Sequence, residues 1–226
     1  VLTVNRAPSS DALLSSLTVS NGNLDQAFDP KLLVYTESVI HTVDSITVTP
    51  TADDPTATIT VDGAPVSSGT ASAPISLAVG DNVIPIIVTA QDGVTITTYT
   101  ITVTRAPSTD ATLKALAISS GTLLPGFQPT VLSYTATVPN ATSSITLTPT
   151  ANDAGATITV NGTAVASGTA SQAISLSEGA PNTITIVVTA GDGSTTTTYT
   201  LKVTRLSDSA FLFDLKLFDN ASPGTQ

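Results

Sequence analysis

The phrase "TITTYTITVTRAPSTDA", from Thr95 to Ala111, returns as "TTTTYTLKVTRLSDSA" from Thr195 to Ala210. Repetition at a fixed period constrains a fold more than any single motif, because each copy is one structural unit and stacked copies make an array. Aligning "DALLSSLTVSNGNLDQAFDP" from Asp11 with "DATLKALAISSGTLLPGFQP" from Asp110 gives an offset of 99. Leu17, Gly22, Phe28, Pro30 and Tyr35 then fall on Leu116, Gly121, Phe127, Pro129 and Tyr134. One insertion near Pro181 moves the offset to 100, and Asp92, Gly93, Tyr99 and Arg105 meet Asp192, Gly193, Tyr199 and Arg205. Two complete repeats follow, 8–106 and 107–206. The opening "VLTVNR" matches the close of a repeat, so 1–7 reads as the last strand of a preceding repeat plus a linker. "SAFLFDLKL" matches "DALLSSLTV", so 207–226 reads as the first strand of a third. The chain is expected to be a window on a longer tandem array.

Within a repeat the apolar period is two, the mark of half-buried strands. Seven are predicted in the first copy: Leu13–Ser20, Leu32–Ile40, Ser45–Thr51, Ala57–Val61, Pro74–Ala78, Asn82–Gln91 and Thr95–Arg105. Asp62-Gly63 and Asn161-Gly162 are turn dipeptides that accept positive φ, and Asp92-Gly93 and Asp192-Gly193 close the longest hairpin of each copy. In its second arm Ile96, Thr98, Thr100, Thr102 and Thr104 share one face, while Thr97, Tyr99, Ile101 and Val103 share the inward one. Short strands with regular turn signals predict an all-β protein of tandem seven-stranded sandwiches. The linkers "APSS", "APST" and "LS" are short, and Pro107 fixes one φ, so a stiff rod of units is expected.

Composition narrows the function. Charged residues are 11% of the chain, the net charge is −10 and only seven residues are Lys or Arg, which argues against nucleic acid as a partner. No apolar run approaches the roughly 20 residues of a membrane helix, so no membrane insertion is expected in this segment. There is no Cys and a single imidazole, His41, which aligns with Asn140. The usual nucleophile–base pairs are therefore missing, and no enzyme and no catalytic residue is expected.

The second copy strings together Leu116, Gly121, Phe127, Pro129, Tyr134, Pro149, Gly162, Gly168, Asp192, Gly193, Tyr199 and Arg205 in one pattern. That pattern resembles the bacterial cadherin-like β-sandwich repeat, over nearly the whole chain. The resemblance implies an Ig-like or cadherin-like sandwich array of an extracellular or cell-surface protein, acting as spacer, adhesive stalk or fibre module. It also implies an alternative, a module that binds polysaccharide or host glycans. Partners would be neighbouring repeats, other copies of the chain, or glycans. The acidic calcium motifs between true cadherin domains are missing here.

Several residues are candidates for more than packing. Asp53 and Asp54 in "TADDP", with Asn152 and Asp153 in "TANDA", are candidate calcium ligands, but each loop offers only one or two of the six or more oxygens that calcium takes, so no metal and no cofactor is expected. Tyr35, Tyr134, Tyr99 and Tyr199 read as structural plugs with hydrogen-bonded hydroxyls rather than a sugar platform. Arg105 and Arg205, ending the last strand of each copy, are expected to clamp the following unit or its acidic start at Asp110 or Asp208. The TxT ladders read as solvent-facing strand residues, with sugar attachment or ordered water as the functional alternatives. Phe211, Phe213, Leu215, Leu217 and Phe218 form a candidate assembly strand, adhesive if its sandwich is incomplete.

Overall fold

The computed structural model describes residues 6–207. The expected partial strands at the two ends, with Phe211, Phe213, Leu215, Leu217 and Phe218, lie outside the described residues. The chain divides into two units between Pro107 and Ser108. Each is all-β, with no helix among the described residues.

In the first unit the strands are β1 (Leu14–Val19), β2 (Val34–Val39), β3 (Ser45–Ile46), β4 (Val48–Ala52), β5 (Thr58–Val61), β6 (Ala64–Val66), β7 (Ile75–Ser76), β8 (Gly80–Thr89) and β9 (Ile96–Arg105). One layer is a five-stranded sheet in the order β2-β9-β8-β5-β6. β2 runs parallel to β9, whereas β8–β9, β5–β8 and β5–β6 are antiparallel. The facing layer pairs β1 with β4 and β3 with β7. β3 and β4 are one run of chain interrupted at Thr47, where it changes partners. The second unit repeats the plan strand for strand as β10 (Leu113–Ile118), β11 (Ser133–Val138), β12 (Ser144–Ile145), β13 (Leu147–Ala151), β14 (Thr157–Val160), β15 (Thr163–Val165), β16 (Ile174–Ser175), β17 (Pro181–Thr189) and β18 (Thr196–Arg205). Its large sheet has the order β11-β18-β17-β14-β15, with β11 parallel to β18.

The predicted strands are all present, and one more appears. β6 and its counterpart in the second unit, β15, have only three residues with no buried member, so no alternation announces them. They exist because Asp62-Gly63 and Asn161-Gly162 take positive φ at both positions (48° and 78°; 48° and 79°), the turn that folds a strand back on its neighbour with the right twist. β1 breaks period two for a different reason. Leu14 and Leu17 are both buried although three apart, because the register slips between Leu14 and Ser16 opposite β4. A bulge adds one residue and resets the inward face. The slip recurs between Leu113 and Ala115.

The core of each unit is the inward set of these strands. In the first it includes Leu14, Leu17, Ile46, Val48, Ile84, Ile86, Tyr99, Ile101 and Val103, all nearly inaccessible. The second has the same set with Leu113, Leu116, Ile145, Leu147, Ile184, Ile186, Tyr199, Leu201 and Val203. β-Branched and aliphatic side chains dominate, as a pleated half-buried surface favours. The opposite face of β9 and β18 is mainly exposed or half-buried threonine, with Ile96 and Lys202 also on it.

Gly121 turns the chain out of β10 at φ 83°, and a Cβ there would lie 2.9 Å from the Thr137 carbonyl oxygen. Gly121→Ala is therefore expected to destabilise the second unit by about 2 kcal/mol. Urea unfolding followed residue by residue should show a lowered midpoint for β10–β18 and an unchanged one for β1–β9.

Candidate functional site

In each unit the sequence candidates gather near the segments where the chain comes in and goes out. At the leading end of the first unit, the Asp92 amide donates to the Ser9 carbonyl at 3.0 Å, and the Ser9 amide donates to Gln91 Oε1 at 3.0 Å. The incoming segment is thus tied to the turn between β8 and β9. The turn is itself fixed by Asp92, whose Oδ1 accepts from the Val94 and Thr95 amides and whose Oδ2 accepts from the Thr95 hydroxyl at 2.6 Å. The second unit repeats this: Ser108 O accepts from the Asp192 amide, and Asp192 accepts from Ser194, Thr195 and the Thr195 hydroxyl. The Thr195 hydroxyl, with the two amides, holds the Asp192 carboxyl down at about 2.

At the trailing end the last strand is locked by its arginine. Arg105 Nε and Nη2 donate to the His41 carbonyl at 2.9 and 2.7 Å, and Nη1 donates to the Leu77 carbonyl at 2.8 Å. Arg205 does the same to Asn140 O at 2.6 Å and Leu176 O at 3.2 Å. Both arginines are engaged by carbonyls within their own unit. The rigid guanidinium fork matches two loop carbonyls of its own unit, left over where β2 and β7 end. Asp110 is occupied elsewhere, accepting from the Thr112 amide and hydroxyl and from Asn152 Nδ2 at 2.6 Å. Asp208 lies outside the described residues.

Between the two ends run the tyrosines. The Tyr99 hydroxyl donates to the Pro30 carbonyl at 2.7 Å and accepts from the Leu14 amide at 3.1 Å. Tyr199 makes the same pair with Pro129 and Leu113. The amide served is the one at the bulge of β1, so the ring of the last strand completes the first. Burial pushes both phenols up. Tyr35 and Tyr134 are buried too; each hydroxyl donates to, and accepts from, one residue of the β1–β2 or β10–β11 connection, Asp29 and Gln128. Phe28 and Phe127 stack on them at 5.9 Å between centroids.

Three of the four calcium candidates are engaged in local hydrogen bonds. Asp54 Oδ1 accepts from the Thr56 amide and hydroxyl, and the Ser9 hydroxyl, with Thr56, draws its carboxyl down to about 2. Asp153 Oδ1 accepts from the Gly155 amide, Asn152 donates to Asp110, and Asp53 is exposed. Among the described residues no three His, Cys, Asp or Glu side chains are grouped to hold a metal. A cleft of about 730 Å³ in the first unit is open and is lined by Arg6, Asp11, Asp53, Asp54 and Gln91 at the leading end.

One residue escaped the sequence reading. Glu37 sits on the inward face of β2 between Tyr35 and Val39, only 1% exposed. Neither carboxyl oxygen has a hydrogen-bond partner. The parity of Tyr35-x-Glu37-x-Val39 carries the signal, as does its counterpart in the other repeat, Ala136, which is buried and apolar.

A bulged first strand in one layer, a second strand parallel to the last in the other, and a tyrosine joining them define an Ig-like and cadherin-like class of sandwich. The chain belongs to the family of the Cadherin-like beta sandwich domain, which matches residues 14–106 and 110–206. It is 45% identical over 98 residues to a protein of Evansella cellulosilytica that carries only the general name of a membrane protein; the match covers 43% of this chain and 14% of that protein. Among solved structures, the fibronectin(III)-like modules of Clostridium thermocellum CbhA align over 84% of this chain and 95% of theirs, at 15% identity and TM-score 0.22. Protocadherin Gamma B7 domains 1–4 align over 87% of this chain and 51% of theirs, at 12% identity and TM-score 0.32. The titin domains z1z2, crystallised with telethonin, align over 84% and 97%, at 11% and TM-score 0.35. No helix among the described residues is long and apolar enough to cross a membrane.

Tyr99→Phe removes one buried hydroxyl and strands both the Leu14 amide and the Pro30 carbonyl, at an expected cost of about 2 kcal/mol. Tyr199→Phe should cost the second unit a similar amount, and the two losses should add in denaturant melts because they lie in separate units. The turn carboxylates fix a sign for acid. The depressed pKa of Asp192 means its contribution is present above the ordinary carboxylate value of 3.8 and is lost as pH falls through about 2. Asp192→Asn should flatten that limb of the stability–pH curve.

Proposed function

We propose that this chain is a non-enzymatic structural segment of a large secreted or cell-surface protein, a spacer or adhesive stalk that holds distance and carries tension. The observation that carries this reading is where each unit takes in and releases the chain. Ser9 is fixed at the turn that begins β9, and the chain leaves at Arg105, where β9 ends. The two points are separated by the ten residues of β9, about 33 Å. Ser108 and Arg205 stand in the same relation along β18. A pull between these points acts along the strands. β2 pairs in parallel with the last six residues of β9, Thr100 to Arg105. Force applied ahead of β1 and behind β9 reaches the β2–β9 ladder in shear once the Ser9 bonds and β1 have taken the first load, and the arginine fork pins the far end.

Membership in a sandwich family, two copies in series and the supply of a single imidazole and no cysteine all support this reading over a catalytic one. An extracellular place is supported by the family and by a relative named as a membrane protein, of which the matched region is a small part.

Single-molecule stretching of the full chain tests the proposal. Two abrupt unfolding events are expected, each lengthening the chain by about 300 Å. Moving the attachment point from the incoming segment to the β5–β6 turn, so that the sheet is peeled strand by strand, should lower the force. Smooth extension without discrete events would overturn the load-bearing reading.

A further inference from the structure

We propose that Glu37 makes the β1–β2 connection of the first repeat a pH-sensitive latch, closed while its carboxyl is neutral and opened when it ionises, and that the second repeat lacks this device. Glu37 is buried beneath an exposed segment, Asn21-Gly22-Asn23. Its Oε1 lies so close to the Gly22 backbone that any Cβ there would stand 2.3 Å away. The glycine therefore lets the carboxyl be covered by main chain rather than by a partner. The charge that acts on it comes from the same connection, that of Asp25, and the residue beside it in the β9 register is Val103. Among the described residues no cation offsets an ionised Glu37, and no hydrogen bond receives it. A carboxylate in that position can regain solvation only if the segment above it lifts.

The connection is tied to Thr36 by one backbone bond and three side-chain bonds, among them the Thr36 hydroxyl to Asp25 Oδ2 at 2.7 Å, and Asn21 Nδ2 donates to the Ser45 carbonyl at 3.3 Å. In the second repeat Leu124 and Thr135 exchange two backbone hydrogen bonds, both 2.8 Å. In the first repeat only the Asp25 amide keeps its bond, to the Thr36 carbonyl at 2.8 Å. The second is made by the Gln26 carboxamide, whose Oε1 accepts from the Thr36 amide and whose Nε2 donates to the Thr36 hydroxyl. The connection that must open over the carboxyl is thus the less firmly laddered of the two.

Burial, with Asp25 adding to it, pushes the Glu37 carboxyl from 4.5 up to about 7. The direction of the effect follows by linkage. An opened or unfolded Glu37 releases its proton at the ordinary value, so the closed form loses stability as pH rises above about 4.5, and the loss levels off above about 7. The switch therefore works across neutral pH and in the opposite sense to the turn aspartates.

Amide exchange on the full chain reads this directly. The Asp25 and Leu124 amides make equivalent bonds in the two repeats, so the ratio of their protection cancels the intrinsic pH dependence of exchange. Between about pH 5 and pH 8 that ratio should fall by at least about tenfold, one unit of the raised pKa or more. In Glu37→Gln, which keeps the shape and never ionises, the ratio should stay flat. Glu37→Ala copies Ala136 and serves the same purpose should the glutamine variant fail to fold. A flat ratio in the unaltered protein overturns the latch. So does a fall of equal size in either variant. An NMR titration placing the Glu37 carboxyl in the ordinary carboxylate range also overturns it.

Discussion

The hydroxyl of Tyr99 is the small interaction on which each sandwich depends. It sits at the middle of the last strand yet holds the first amide of β1 and the carbonyl of Pro30, ahead of β2. β1 belongs to one layer and β2 to the other, so without a fixed point between them the chain has no reason to cross at that place. A bulge in β1 frees an amide, the crossing frees a carbonyl, and a single phenol satisfies both inside the protein. Buried polar groups tolerate no other arrangement at low cost. The same three residues recur as Tyr199, Leu113 and Pro129, which shows that the bond belongs to the plan of the repeat and not to one copy.

From that crossing the mechanical reading follows. Because the second strand joins the last in parallel, the two ends of the chain are held by the same sheet while leaving it at opposite ends. The arginine at the end of β9 then has a local duty, collecting the carbonyls of His41 and Leu77. The leading end is different in kind, held by Asp92 and Ser9 through short turn bonds. One end is sealed by a fork of charge-assisted bonds and the other by a rigid turn.

Much of this was legible in the chain before any coordinates. Period-two runs and Asp-Gly or Asn-Gly pairs locate the strands, since alternation and positive φ are local properties. The inward face of β9 is likewise written in Tyr99, Ile101 and Val103. What was not legible depends on partners far along the chain. β6 has no alternation and exists only through its turn. The bulge in β1 is visible only as Leu14 and Leu17 standing three apart. Arg105 could have served any acceptor within reach, and the sequence holds no record of which carbonyls β2 and β7 leave over. Glu37 was readable in principle, because its parity sets it among apolar neighbours, but a lone acidic residue in a strand is more often one that faces water.

The mismatch at that position bears on how a tandem chain folds at all. Adjacent copies of one plan invite strand exchange during folding, and the hazard grows with their likeness. Here the copies differ at the crossing itself: Glu37 under Gly22 in one, Ala136 and a left-handed Gly121 in the other. Were β11 to settle in the first repeat, it would leave a hole the size of a carboxymethyl group. Were β2 to settle in the second, it would drive a charge beneath a differently shaped backbone. An exchanged second strand would fit either repeat less well than its own, so the difference at this one position favours correct pairing.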